Sequence, residues 1–422
     1  MLNLPTYRSR LASILAIIML TFVVTATSPA QTLKVLHNFG VTPGDGNVTS
    51  SPLLKDATGN LYGMTSSGGA HDFGTVYRLS PTSTGDFTET ILYSFKGGSG
   101  DGALPQGPLF RDSAGNLFGV TEAGGINATV CTASTPGCGI IFKLTPKTTG
   151  SWTETVLHRF TGTDGGNSFA GLVQDSKGNF FGATSVGGSK GLGTVYKLSL
   201  TSTGWKETVI HSFTGSPDGE QPLMFLTALT LDSLGNIYGS TYGGGSSTVL
   251  AGIVFKLSPQ TTGAWTEKIL YTFQGGADGS QPLTGVILDK SGNVYGTTLK
   301  GGTQVGSGDV FELTAANGYA KTILHDFNFF TDPAKELPHG LFFDASGNLF
   351  GTTEYALYKL TPGSSGLNDT ALWVWDTSID PQDGNTVYSP AIVDAQGNFW
   401  GTTLWGGQAG ELTGGVAWEL IP

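Results

Sequence analysis

Only two cysteines, Cys131 and Cys138, occur in 422 residues. Two thiols with no His pair beside them cannot complete a tetrahedral metal site, so no metal or redox role is expected of them. They lie in the run Cys-Thr-Ala-Ser-Thr-Pro-Gly-Cys, which predicts a disulfide stapling an inserted loop in an oxidising compartment. Basic residues are scarce as well: 21 Lys and Arg stand against 32 Asp and Glu, a formal net charge of −11. So acidic a chain is a poor match for nucleic acid, whereas cations, cationic polymers and neutral sugars all suit it. Long apolar runs are absent beyond residue 24, which leaves no membrane span in the body of the chain. No nucleophile motif and no His-rich metal signature is present, and the Gly-rich stretches lack a following helix to receive a phosphate.

What the chain does contain begins with a leader. Arg8 and Arg10 precede an apolar run from Leu11 to Val24, and small residues follow, ending Ser28-Pro29-Ala30. That layout predicts a secretory signal peptide over residues 1–30, since the run is shorter than the ~20 residues a spanning helix needs. The mature chain is expected to start near Gln31 and to be secreted, periplasmic or held at the cell surface. Loss of Arg8 and Arg10 leaves 19 basic against 32 acidic residues, a net charge of −13.

The dominant signal is a sevenfold repeat. Asp-x-x-Gly-Asn, an apolar residue, an aromatic and Gly recur at Asp56–Gly63, Asp112–Gly119, Asp175–Gly182, Asp232–Gly239, Asp289–Gly296, Asp344–Gly351 and Asp394–Gly401. The Asp-to-Asp spacings are 56, 63, 57, 57, 55 and 50 residues, a period of propellers and solenoids. With 65 Gly and 38% hydrophobic residues, many tight turns between short buried strands account for the composition.

Each repeat reads as four strands. In the first, strand A is Pro52–Lys55, B is Asn60–Ser66, C is Thr75–Ser80 and D is Thr88–Phe95. Asp-x-x-Gly-Asn is the A–B hairpin, in which Asp makes an Asx-turn and Gly takes a positive φ. Strand C recurs from Gly74 as Gly-Thr-Val-Tyr-Arg-Leu-Ser-Pro and ends the chain as Gly-Val-Ala-Trp-Glu-Leu-Ile-Pro from Gly415. Strand D recurs as Glu-Thr-Ile-Leu-Tyr-Ser-Phe from Glu89 and Lys-Thr-Ile-Leu-His-Asp-Phe from Lys321. No strand D follows the last C, and the matching piece lies at the other end, Leu33-Lys-Val-Leu-His-Asn-Phe39. An all-β, seven-bladed β-propeller of four-stranded antiparallel blades over residues 31–422 is therefore predicted, with residues 33–39 completing the last blade and closing its edge.

The strand-B aromatics Tyr62, Phe118, Phe181, Tyr238, Tyr295, Phe350 and Trp400 are expected to pack between blades. His37, His158, His211 and His325 share a strand-D position that is Tyr at Tyr93 and Tyr271, and read as packing residues, not metal ligands. D–A and B–C connections fall on one face, which carries the Asp-Gly pieces of Asp45, Asp101, Asp164, Asp218, Asp278 and Asp383, together with the Gly pairs after strand B. Carboxylates around a channel, with Gly backbone open to close approach, predict a face that binds glycan hydroxyls or at most a weak Ca²⁺, since no loop has calcium-loop order.

Departures from the repeat add Glu122, Glu354, Tyr242 and Trp405 to that face, so the candidate ligand site is Asp101, Asp218, Asp278, Glu122, Glu354, Tyr242 and Trp405. No cofactor and no catalytic residue is assigned. The expected function is that of an exported, monomeric, non-catalytic binding or scaffold propeller for a glycan, peptide or surface partner. The alternative is a carbohydrate-active hydrolase or lyase using the carboxylates, although Glu122 and Glu354 come from blades two and six.

The hairpin motif, the Gly pair, strand C and strand D, recurring in that order, resemble the GloVer tandem-repeat family of exported bacterial proteins over about residues 33–422. The resemblance implies export and a propeller; it brings no catalytic residues with it.

Overall fold

A computed structural model describes residues 31–131, 135–246, 251–302, 306–328, 330–332, 337–362, 367–375, 383–408 and 414–422; the expected signal peptide lies outside the described residues. Seven antiparallel blades follow one another around a ring, each ordered A–B–C–D from the inside outward; Gly46–Thr49 adds a fifth strand to blade one, and Gly219–Glu220 pairs with Gly243–Gly244 in a small sheet beside blade four. The third blade shows the plan: Val173–Gln174, Phe180–Thr184, Thr194–Thr201 and Gly204–Ser212. The ring closes as expected. Thr32–Asn38 is the outer strand of the seventh blade, antiparallel to Val416–Ile421, with Leu33 opposite Leu420 and Val35 opposite Trp418. Cys131 and Cys138 form the expected disulfide, and no helix among the described residues is long and apolar enough to cross a membrane.

The hairpin motif is built around its carboxylate. Asp56 Oδ1 accepts the amides of Thr58 at 2.9 Å and Asn60 at 3.0 Å, Asn60 Nδ2 donates to Oδ2, and Gly59 has φ 85°. Partial burial opposes ionisation of Asp56, but these hydrogen bonds outweigh it and bring its pKa down to about 2. The Gly that ends the motif has a different task. A Cβ on Gly63 would stand 2.3 Å from the Tyr77 hydroxyl, and one on Gly401 would stand 2.3 Å from the Trp418 ring. In every blade this Gly makes room for the aromatic of strand C, which crosses over strand B.

Tyr358 and Tyr77 fill that strand-C slot with hydroxyls that are buried and have no partner, whereas Phe142, Phe255 and Phe311 fill it elsewhere. Tyr358→Phe is expected to raise stability by about 1 kcal/mol, because an unsatisfied buried hydroxyl costs more than its absence. Urea unfolding checks this, and a destabilised variant would mean that the hydroxyl is satisfied by a buried water.

Among the described residues seven apolar clusters each bridge two neighbouring blades. Phe118 of blade two packs on Phe180 of blade three at 4.7 Å, and Trp400 of blade seven joins Leu53, Leu61 and Tyr77 of blade one. The strand-B aromatics therefore pack between blades as expected. In all seven blades the C–D ladder slips by one residue. The slip skips Leu36, Leu92, Leu157, Ile210, Leu270, Leu324 or Leu372, and such a bulge re-aims the side chain that follows. That side chain is His, Tyr or Trp.

Candidate functional site

The re-aimed strand-D side chain enters the junction with the next blade. There it meets the Asp of the D–A loop and the residue that opens the next strand-D motif. Four junctions gather a His with two acids: His37, Asp45 and Glu89; His158, Asp164 and Glu207; His211, Asp218 and Glu267; His325, Asp332 and Asp369. Nε2 of His158 and of His325 lies 3.1 Å from the loop Asp; the corresponding separations are 3.5 Å at His37 and 3.4 Å at His211. The acid of the following blade lies 3.6 Å from His37, His211 and His325.

The other junctions vary the theme. Tyr93 donates to Asp101 Oδ2 at 2.9 Å, with Glu154 as the following acid. Tyr271 donates to Asp278 Oδ1 at 2.6 Å, and there Lys321 takes the place of the acid, its Nζ 3.5 Å from Asp278 and 3.3 Å from the fully buried Asp309. Between blades six and seven the equivalent residues are Trp373 and Leu33. Each His or Tyr also packs edge-on against the Phe two positions later, as in His37–Phe39 at 4.6 Å and Tyr93–Phe95 at 5.1 Å. The packing role read from the His/Tyr exchange is real, but that reading missed the acids. The available signal was one blade further on: all four His are followed, a repeat later, by Glu89, Glu207, Glu267 or Asp369.

Burial governs the charges here. It pushes Glu207 up to about 8 and Glu89, Glu154 and Glu267 up to about 7, with the neighbouring Asp carboxylates adding to the effect. Burial also acts on Asp164 and Asp218, but hydrogen bonds from His158, His211 and loop amides hold both below the usual range.

A second feature lies on the ring axis. Seven non-Gly residues at the start of strand A (Val48, Leu104, Asn167, Gln221, Gln281, Leu337 and Thr386) have φ between 50° and 63°. Such backbone is strained for a side chain, most of all for the β-branched Val48 and Thr386. In six of them the turn aims the amide at the preceding blade: Val48 N donates to Gly414 O and Leu104 N to Phe73 O. Two residues on stand Ser50, Gln106, Phe169, Leu223, Leu283, His339 and Tyr388, of which Ser50, Gln106 and His339 are buried. Blade four departs from the pattern, because Met224 (φ 40°) and Leu226 (φ 52°) are also left-handed and set Phe225 across the axis. Phe225 lies 5.9 Å from both Phe169 and Tyr388, and His339 packs at 4.5 Å against Tyr388. Phe169, Phe225 and Tyr388 are partly exposed. His339 is buried, both ring nitrogens lack a partner, and burial depresses it to about 3.

The residues predicted from the sequence divide between these two features. Asp101 and Asp218 are buried, and with Asp278 they turn outward to strand D and their own loops: Asp101 accepts from Lys96 N, Asp218 from Gly219 N, Asp278 from Gln274 N. The expected carboxylate ring around the channel is instead a ring of junction anchors. The first Gly of each pair is likewise occupied by protein, since a Cβ on Gly68, Gly124 or Gly244 would meet the D–A loop carbonyl at 2.5–2.6 Å. Glu122 and Glu354 are partly buried. Gln106 Nε2 donates to Glu122 at 3.3 Å, burial raises the Glu122 pKa, and Glu354 contributes to raising Tyr388. Tyr242 N bonds to Gln221 O, and Trp405 exchanges backbone hydrogen bonds with Asn385.

Fold and site together define a closed-ring repeat propeller with polar blade junctions and an aromatic channel mouth. The chain belongs to the Gloeobacter/Verrucomicrobia repeat family, whose profile matches residues 22–130 and 126–357. No curated protein is similar in sequence. Among solved structures it is similar to a streptogramin B lyase, with 13% identity, 92% of this chain and 97% of that one covered, and a TM-score of 0.53. It is also similar to a catalytically inactive virginiamycin B lyase from Staphylococcus aureus with quinupristin, at 14% identity, 93% and 99% coverage and a TM-score of 0.52. At these identities the likeness is one of fold.

Proposed function

We propose that the chain is an exported, non-catalytic binding propeller that takes a neutral or cationic glycan at the channel mouth on the D–A loop face. The observation that carries this reading is the irregular stretch of blade four. Two strained residues, Met224 and Leu226, hold Phe225 over the axis beside Phe169 and Tyr388. Backbone strain added in one blade, beyond the one strained residue that every blade shares, marks a position with a task. Sugar C–H faces stack on such rings, and Glu122 and Glu354 offer acceptors to hydroxyls or amines. The Asp carboxylates hold the loops that shape this mouth.

A glycan array read with the wild type and with Phe225→Ala/Tyr388→Ala tests the reading. At least a tenfold loss of binding is expected, about 1.4 kcal/mol. Binding to peptides alone, or glycan binding indifferent to the double variant, would sink it. The enzymatic alternative rests on the raised carboxyl of Glu122. It is favoured if polysaccharides incubated with the protein yield new reducing ends or unsaturated products that Glu122→Gln abolishes.

A further inference from the structure

We propose that the four His-containing blade junctions are binding sites for a divalent transition-metal ion of the zinc class, each built from one imidazole and two carboxylates of adjacent blades. The donor set is the first argument. In each of the four groups the candidate ligand atoms lie within 4.8 Å of one another, and the measured Nε2-to-oxygen separations run from 3.1 to 3.6 Å. Two ligands at ~2.0–2.1 Å from one tetrahedral ion stand about 3.3 Å apart. Imidazole with carboxylate suits zinc-class ions rather than Ca²⁺, and three protein ligands leave a fourth position for water.

The second argument is the set of buried atoms without partners. Asp45 Oδ1, Glu89 Oε1, Glu207 Oε1 and Glu267 Oε1 are buried with no hydrogen bond, and Nε2 of His37 and His211 has carboxylate oxygens beside it at 3.4–3.6 Å. Asp45 itself is 6% exposed. Carboxylate oxygens crowded on an imidazole edge need a cation between them, whether proton or metal. At His325 the other ring nitrogen, Nδ1, lies 3.1 Å from the Leu367 carbonyl. A carbonyl only accepts, so Nδ1 carries the proton and Nε2 is directed at Asp332 and Asp369, the orientation of a metal-bound His with its outer support.

The third argument is internal to the repeat. At one of the two junctions with Tyr in place of His, that of Tyr271, the next blade supplies Lys321, whose ammonium sits between Asp278 and Asp309; at the other, Tyr93 meets Asp101 and Glu154. The chain thus fills one junction with its own cation and leaves His with two acids at four others. A bound ion at each would tie neighbouring blades together without changing the fold.

The test uses the mature chain after dialysis against a chelator, with Zn²⁺ alone as titrant near pH 7 and Co²⁺ as a spectroscopic reporter. Expected are up to four equivalents bound at micromolar Zn²⁺, a thermal midpoint that rises with Zn²⁺, and visible Co²⁺ absorption typical of tetrahedral coordination. His325→Gln should remove one equivalent. The double variant His211→Tyr/Glu267→Lys copies the Tyr271/Lys321 junction. It should fold with an unchanged midpoint in chelator and also bind one equivalent fewer. Binding only at millimolar Zn²⁺, or a stoichiometry unaffected by these variants, would overturn the proposal and leave the histidines as direct partners of the acids.

Discussion

A chain that begins at Gly40, without the strand Thr32–Asn38, is expected to lose cooperative folding and to aggregate. The deletion removes six register pairs with Val416–Ile421 and exposes the outer edge of the last blade. It also takes away Leu36, 7% exposed, and Phe39, fully buried, which pack with Leu53, Leu61 and Tyr77 of blade one. Each such side chain contributes ~1.5–3 kcal/mol by burial. Phe39 lies 4.7 Å from Tyr77 and its amide donates to Gly415 O, so the lost piece joins blade seven to blade one as well as completing a sheet. Phe39→Ala alone should cost about 3–5 kcal/mol. A synthetic peptide of residues 31–40 added to the truncated chain should restore the thermal transition. A truncated chain that unfolds at the wild-type midpoint would refute ring closure as the source of stability.

Lys321→Met carries the second large effect. The Lys321 side chain is 4% exposed and its Nζ lies 3.3 Å from Asp309, which is fully buried and has no other cation among the described residues within the distance of an ion pair. Burial raises the Asp309 pKa to about 6 even with Lys321 opposing it. Removing the ammonium leaves a buried carboxylate uncompensated, at a cost of about 3–5 kcal/mol. A carboxyl raised in the folded state binds its proton more tightly there than in the unfolded chain. Stability from that proton is full below the unfolded pKa and is lost as pH rises. The variant's deficit in urea unfolding should therefore be larger at pH 8 than at pH 5. Lys321→Met/Asp309→Thr, which restores the residue type of Thr75 and Thr194, should recover most of the loss. A deficit under about 1 kcal/mol at pH 8 would show that water reaches Asp309.

The fold was legible because its devices are local. Asp56, Gly59 and Asn60 make their turn within five residues, and the same Asp, Gly and Asn return at that spacing in every blade. The displaced strand Leu33–Phe39 could be recognised because its pattern matches the other D strands, such as Glu89–Phe95 and Glu207–Phe213. The site was less legible. Asp101, Asp218 and Asp278 were correctly placed on the D–A loops, but nothing in an Asp-Gly dipeptide says whether its carboxylate faces the channel or strand D. The bulge decides that, and it hides in a strand-D sequence whose adjacent apolar residues, such as Ile91 and Leu92, resemble an ordinary buried strand. Phe169 and Tyr388 lie far apart in the chain, and only closure of the ring brings both to Phe225.

The sequence by itself determined the number of blades, the turn at each hairpin, the strand that completes the ring and the disulfide, because each depends on short-range geometry or on repetition of one pattern. Tertiary structure alone decided which acids meet which imidazole and which rings meet on the axis. The contacts that cross from blade to blade join residues about fifty positions apart or more, such as His37 with Glu89 and Phe225 with Tyr388. Their separation is set by how one twisted sheet packs on the next, and a repeat unit read alone carries no record of its neighbour.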